Sequence, residues 1–434
     1  MRPRLVAITT LTLLAVGCDG SDPIRPGFDA GRGVDGGGQM GGPTYYGNIR
    51  PILVANCTNC HTTGGIAPFA LETFEQVTEV GFRVRDATRD RIMPPFLADA
   101  SGACNDWGND RTLEQSDIDM IGDWVAGGMQ EGDPSTPMPE AVPPPTLPSV
   151  DYSVQMPDEY FVDADLDDDY RCFLADPGLT EDLFVTGYDV HPGNAQRVHH
   201  VIVYNPLNDA AVQEVRNKEM AEGSPTDGYT CFGGSGTDQA LPVVLWAPGG
   251  GATTFPRGTG IQLTAGRPLI IQVHYNNLVM GAPPSDRTTI DLATTDTASP
   301  AVFAPLLDPD LNIPPRMALH EESRRLPIRL VLQQLGLSGI SNFRAWGVLP
   351  HMHTLGDSLD IQIEQTAANQ CMIDLPRWDF NWQLAYWLRQ PLRIYDTDTA
   401  IISCRYNSME RDTMTHWGDG TQDEMCIAFV YVTL

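Results

Sequence analysis

The stretch Val198-His199-His200-Val201-Ile202-Val203-Tyr204 is a β-branched, apolar run interrupted by two adjacent histidines, and it decides how most of the chain is read. Similar short runs with period-two alternation recur at Leu269 to Tyr275 and Leu359 to Ile363, separated by Gly and Pro turns. Everything beyond Ser149 therefore reads as all-β, and about 280 residues suit two domains better than one. The expectation is two tandem antiparallel, jelly-roll-like sandwiches over residues 151–290 and 291–434.

Eight of the nine histidines lie in this region, and five of them fall in patterns: His199-His200, Gln272-Val273-His274 and His351-Met352-His353. A fourth element is Asp423-Glu424-Met425-Cys426. Alternation along a strand puts His351 and His353 on one face, where both imidazoles can meet a single ion, and sets Gln272 beside His274. His199 and His200 would point to opposite faces of a regular strand. For both to bind one metal, the backbone must bulge there or the strand must end. Imidazole together with thioether favours copper, because soft sulfur supports Cu(I); zinc prefers Cys, His or carboxylate.

Upstream, the pattern is different. Residues 43–133 read as a small all-α domain, in which Thr112 and Gln115 form a capping box for a last helix presenting Ile118, Ile121, Trp124 and Val125 on one face. Cys57-Thr58-Asn59-Cys60-His61 is the C-x-x-C-H pattern of heme c attachment: two cysteines reach the porphyrin vinyl groups while His61 ligates iron. Met93 is the expected sixth ligand, as in the small cytochromes c that this segment resembles; Met120 and Met129 are the other thioethers available. A spacer with seven prolines, residues 134–150, separates this part from the β region.

At the start, Arg2 and Arg4 precede a short apolar run, and Ala15-Val16-Gly17 lead into Cys18. The segment reads as a signal peptide, residues 1–18, whose Cys18 is lipidated; residues 19–42 follow as a Gly, Asp and Pro tether. The expected location is extracytoplasmic, lipid-anchored to a bacterial cell envelope, with that lipid as the membrane contact. A net charge of −29 over 434 residues argues against nucleic acid as a partner. Nine cysteines in an oxidising compartment leave Cys104, Cys172, Cys231, Cys371, Cys404 and Cys426 as disulfide candidates once Cys18, Cys57 and Cys60 are assigned.

Taken in order, the His-His pair, Gln272-Val273-His274-Tyr275, His351-Met352-His353 with Gly356, and Thr415-His416-Trp417-Gly418 leading into Met425 resemble the copper type II, ascorbate-dependent monooxygenases. The resemblance spans residues 151–434. It implies one copper held by His199, His200 and His274 that accepts electrons, and another held by His351, His353 and Met425 that meets dioxygen, with Gln272 between them. It also implies disulfides Cys172–Cys231 and Cys404–Cys426, and leaves Cys104 and Cys371 unassigned.

The implied reaction is hydroxylation of a C–H bond in a small organic substrate, using dioxygen and two electrons from ascorbate or a redox protein. The heme c at His61 is the expected relay to the first copper. Peptide-hydroxylating members anchor a substrate carboxylate where this chain has Leu349 and Phe429, so a less polar or aromatic substrate is expected. Two rivals stand beside this reading: a copper and heme redox protein without oxygenase activity, and a heme-based sensor with five-coordinate iron.

Overall fold

The structure, a computed structural model, describes residues 41–434 apart from 66, 139–143, 164, 223–226 and 278–284. The signal segment, Cys18 and nearly all of the tether lie outside the described residues.

The regular structure of the first hundred described residues is helical. A wide turn, Tyr45–Ile49, is capped by Thr44 and runs into helix Arg50–Asn56. Helix Phe74–Arg89 carries a complete capping box, Thr73 with Gln76, and helix Gln115–Ala126 buries Ile118, Ile121, Trp124 and Val125. The capping box expected at Thr112 and Gln115 does not form. Glu114 stands at the N-cap without a side-chain bond, Thr112 donates its N–H to Asp110, and the Gln115 amide turns along its own helix to Asp119. These helices share a core built on Tyr45, Leu53, Val77, Ile121 and Trp124.

Residues 43–133 are not, however, a body of their own. Phe96, Leu97, Ala98 and Trp107 belong to the core of the second sandwich, where Trp107 is 1% exposed. Large apolar side chains in a segment without helical periodicity have to be covered by a neighbour, and here strands of the β region do it.

Among the described residues, one nine-stranded sheet runs through both halves of the β region. Its order is Tyr152–Gln155, Thr289–Thr295, Leu183–His191, Thr259–Leu263, Ser299–Leu307, Ile427–Thr433, Asn342–His351 and Tyr386–Tyr395, with Thr253–Thr254 pairing at the side. The halves join where Ser299–Leu307 lies parallel to Thr259–Leu263. A five-stranded sheet containing Asp168–Ala175, Leu269–Asn276 and Val198–Pro206 packs on the first half. A four-stranded sheet containing Gly356–Glu364 and Thr399–Tyr406 packs on the second. The two sandwiches thus share a continuous wall, which fixes their facing edges to each other.

Among the described residues, three disulfides form. Cys172–Cys231 and Cys404–Cys426 are the pairs implied by the resemblance, and Cys104–Cys371 joins the two cysteines it left open. The last spans 267 residues of sequence. Closing so long a loop stabilises the fold by about 5 kcal/mol in the chain-entropy picture.

Candidate metal centre

His200 and His274 are cross-strand partners, and the next pair is Val198 with Tyr275. His199 is therefore the extra residue of a bulge, the irregularity that lets two adjacent side chains turn toward one side. The ring centroids lie 5.1 Å apart for His199 and His274 and 4.8 Å for His200 and His274. The ligating nitrogens of all three lie within 4.8 Å of one another. In each ring Nδ1 is buried without a hydrogen-bond partner. An orphaned buried polar atom costs about 1–3 kcal/mol, so three converging on one spot is what an ion would relieve.

His274 is held from behind. Its Nε2 meets Asp168 Oδ1 at 2.8 Å, and Tyr170 stacks on its face at 4.0 Å. Burial raises the Asp168 carboxyl, but hydrogen bonds from His274 and Thr421 outweigh it and hold the group down to about 2. An ionised acceptor there places the proton on Nε2 and leaves the Nδ1 lone pair for a metal. Asp168→Ala is expected to weaken copper binding to this trio about 10–100-fold and to spare the other cage. Chelator competition measures it, and unchanged affinity would remove Asp168 from this role.

His351 ends strand Asn342–His351, and His353 follows two residues later, with centroids 5.0 Å apart. Here Nδ1 is the engaged atom. It donates to Gln383 Oε1 at 2.6 Å in His351 and to the Asp423 carbonyl at 3.1 Å in His353, so Nε2 is the free lone pair in both. His351 pairs with Ile427 across the sheet, and Met425 lies two residues before that partner. Tyr406 donates its hydroxyl to the Met425 carbonyl at 3.0 Å, and the disulfide at Cys426 fixes the neighbouring residue.

The buried Glu424 carboxylate accepts N–H groups from His353, Leu355 and Met425. Gly356 is required by Trp378, whose ring a side chain there would strike at 2.5 Å; the same indole donates to the His353 carbonyl at 3.1 Å.

All five imidazoles are neutral at pH 7. Burial, with mutual repulsion among the rings, drives His199 down to about 3. Burial likewise brings His353 to about 4 and holds His200, His351 and His274 below the ordinary value. Neutral imidazole is the form that ligates metal.

The resemblance implies two copper sites with Gln272 between them, and the structure sets the histidines of one beside those of the other. His200 and His351 rings are 6.0 Å apart, and Phe380 stacks on His199 at 4.4 Å while lying 6.2 Å from His353. Gln272, expected between the cages, is directed elsewhere. It shares the face of His274, but its amide donates to the carbonyls of Cys231 at 3.1 Å and Gly234 at 2.8 Å, bracing the loop beside the Cys172–Cys231 disulfide. Two nearby carbonyls satisfy both amide protons, and that fixes its orientation.

The chain matches the N-terminal domain of the copper type II ascorbate-dependent monooxygenases over residues 158–281 and their C-terminal domain over residues 305–432. Together these cover more than half of its length. The chain belongs to the copper type II ascorbate-dependent monooxygenase family. Relatives within it include DBH-like monooxygenase protein 1 of Mus musculus, 25% identical over 56% of this chain and 40% of its own length. Dopamine beta-hydroxylase of Canis lupus familiaris is 23% identical over 54% and 40%, and tyramine beta-hydroxylase of Caenorhabditis briggsae is 23% identical over 56% and 40%. The chain thus spans about two fifths of the length of these relatives. A cowpea mosaic virus empty-particle chain covers 61% of this chain and 88% of itself at 10% identity, but its TM-score of 0.26 carries no argument.

Both matched copper monooxygenase domains contain histidines of the cluster, and neither covers the C-x-x-C-H segment. There, Cys57 and Cys60 form no disulfide, and burial with the neighbouring Cys60 raises the Cys57 thiol. His61 Nδ1 donates to the Phe69 carbonyl at 2.9 Å, leaving Nε2 available, and Phe69 with Pro68, Gln76, Val80 and Arg83 lines an open cleft of about 480 Å³. Met120 and Met129 pack into the helical core, Met129 seated directly over Gly81. Met93 is half-buried at the start of the segment that leaves this core.

Proposed function

We propose that this chain is a copper-dependent monooxygenase that hydroxylates a C–H bond of a small, weakly polar organic substrate with dioxygen and two electrons. The observation that carries the proposal is the set of five neutral imidazoles with their lone pairs turned inward: three Nδ1 atoms on one side and two Nε2 atoms on the other. When bound, copper in the two cages supplies one-electron storage and the activation of dioxygen.

The protein's part is positioning. Asp168, Gln383 and the Asp423 carbonyl hold the tautomers, and Phe380 stacks on the His199 ring. Leu349 and Phe429 are direct cross-strand partners one step from His351, and both pack with the apolar core of the first sandwich. An apolar pair at that place favours a substrate without a carboxylate.

In the helical part, Cys57 and Cys60 would carry a heme c, His61 its proximal ligand and Met93 its sixth. The Phe69 hydrogen bond to His61 and the packing of Met120 and Met129 against the helical core support this assignment. Electrons would then reach copper from the heme in place of ascorbate or alongside it, and a lipid on Cys18 would hold the enzyme in the cell envelope.

The test uses purified full-length chain loaded with copper, a weakly polar substrate panel and isotopically labelled dioxygen. Label in a hydroxylated product, with one dioxygen consumed per product, is expected; reduction without labelled product would identify a redox protein. Cys57→Ala with Cys60→Ala is expected to abolish the heme absorbance and to slow turnover driven by a protein donor while sparing ascorbate-driven turnover. Equal protein-driven rates in both proteins would remove the heme from the electron path.

A further inference from the structure

The segment that leaves the helical core is bonded to both strands flanking one loop of the metal centre. Cys104 is joined to Cys371, and Asn105 donates to the carbonyls of Cys371 and Met372, both at 2.8 Å. The Asp99 N–H bonds to the Asp374 carbonyl at 2.8 Å. These contacts hold strand Gln370–Leu375, on the near side of the loop.

The far side is strand Tyr386–Tyr395. Asn109 donates to the Ala385 carbonyl at 2.7 Å and accepts the Trp387 N–H at 3.0 Å. Gly108 donates to the Trp387 carbonyl at 2.7 Å, and the Arg389 N–H returns to the Asp106 carbonyl at 2.9 Å.

Between the two anchored ends, residues 376–385 supply three side chains to the metal centre. Gln383 accepts from His351 Nδ1, Trp378 donates to the His353 carbonyl, and Phe380 stacks on His199. Gln383 also donates to the Phe380 carbonyl at 3.0 Å, which ties the aromatic cap to the His351 support.

We propose that residues 99–109 are a brace for this loop, and that Asn105 and Asn109 are positioning residues that set the His351 and His353 cage from the helical side. The segment contributes no ligand. It holds the hydrogen-bond partner that orients one, and loss of such outer partners typically weakens metal binding about 10–100-fold. An Asn at 109 suits the task because one amide both donates to and accepts from adjacent strand groups, which no apolar side chain does. The upstream segment is therefore part of the oxygenase centre whether or not it also carries electrons.

The copper arm of the test rests on the proposed function; the exchange arm does not. Full-length Asn109→Ala and the milder Asn109→Asp, which keeps the acceptor for Trp387, would be compared with the unaltered chain. In the metal-free proteins, amides of 376–385 are expected to exchange at least about tenfold faster in Asn109→Ala, with strand 269–276 unchanged and Asn109→Asp intermediate. In a Cu(II) titration against a chelator, one equivalent is expected to weaken about tenfold and the other to hold. Unchanged exchange of 376–385, or equal weakening of both coppers, would overturn the brace. If the unaltered chain took up no copper, the oxygenase reading would fall and the exchange result would still judge the brace.

Discussion

His351→Ala combined with His353→Ala is expected to lower copper from two equivalents per chain to one and to cut hydroxylation by at least about a thousandfold, about 4 kcal/mol of barrier. The two rings are 5.0 Å apart, each with Nε2 free, and Met425 lies two residues before Ile427, the cross-strand partner of His351. Removing both imidazoles leaves a thioether alone, too weak a ligand to retain copper. The remaining trio keeps its own support from Asp168, so its copper should bind with unchanged affinity. Metal analysis with product formation checks this; retention of both coppers, or turnover within tenfold of the unaltered enzyme, would show that these residues do not form the second cage.

Glu424→Ala should have the largest effect on stability. The carboxylate is fully buried and accepts N–H groups from His353 at 2.9 Å, Leu355 at 2.6 Å and Met425 at 3.2 Å. Leaving two buried donors unsatisfied at about 1–3 kcal/mol each, and a half-buried third, removes a large part of a total that is normally about 5–15 kcal/mol. The backbone they hold carries His353 and Met425, so copper at that cage should weaken as well.

Denaturant unfolding of the metal-free proteins measures the first effect. The unaltered chain should also show a pH dependence that the variant lacks. Burial raises this carboxyl to about 7, above an unfolded value of about 4.3, so the folded state binds the extra proton and stability falls as pH rises between those values. A variant equal to the unaltered chain in stability and slope would mean that the three amides find other partners.

How much of this was legible beforehand depended on the kind of signal. Strands announced themselves through alternation, and the five histidines through spacing, because a period of two is a local property. The bulge at His199 followed from chemistry, since adjacent ligands on one ion leave few backbone options.

What the spacing could not give was the partner of each ring. Asp168 sits in an acidic run, Asp167-Asp168-Asp169, with nothing to mark the middle residue, and Gln383 and Phe380 lie in a loop whose shape is set by strands on either side. The contact between His200 and His351 also escaped notice, because it depends on a sheet that runs unbroken through both sandwiches. Gln272 was misplaced for the opposite reason: its face was right, but two carbonyls of a distant loop claim its amide. The tie between Cys104 and Cys371 shows the same limit, since a link spanning 267 residues leaves no local trace.

Because His200 and His351 approach to 6.0 Å, the sharpest question is whether five imidazoles hold two ions or share one. A stepwise Cu(II) titration of the full-length metal-free chain, followed by electron paramagnetic resonance, answers it. Two equivalents with distinct signals are expected, one altered only by Asp168→Ala and the other only by Met425→Ala. Saturation at a single equivalent sensitive to both substitutions would contradict the two-cage arrangement, and the oxygenase proposal with it.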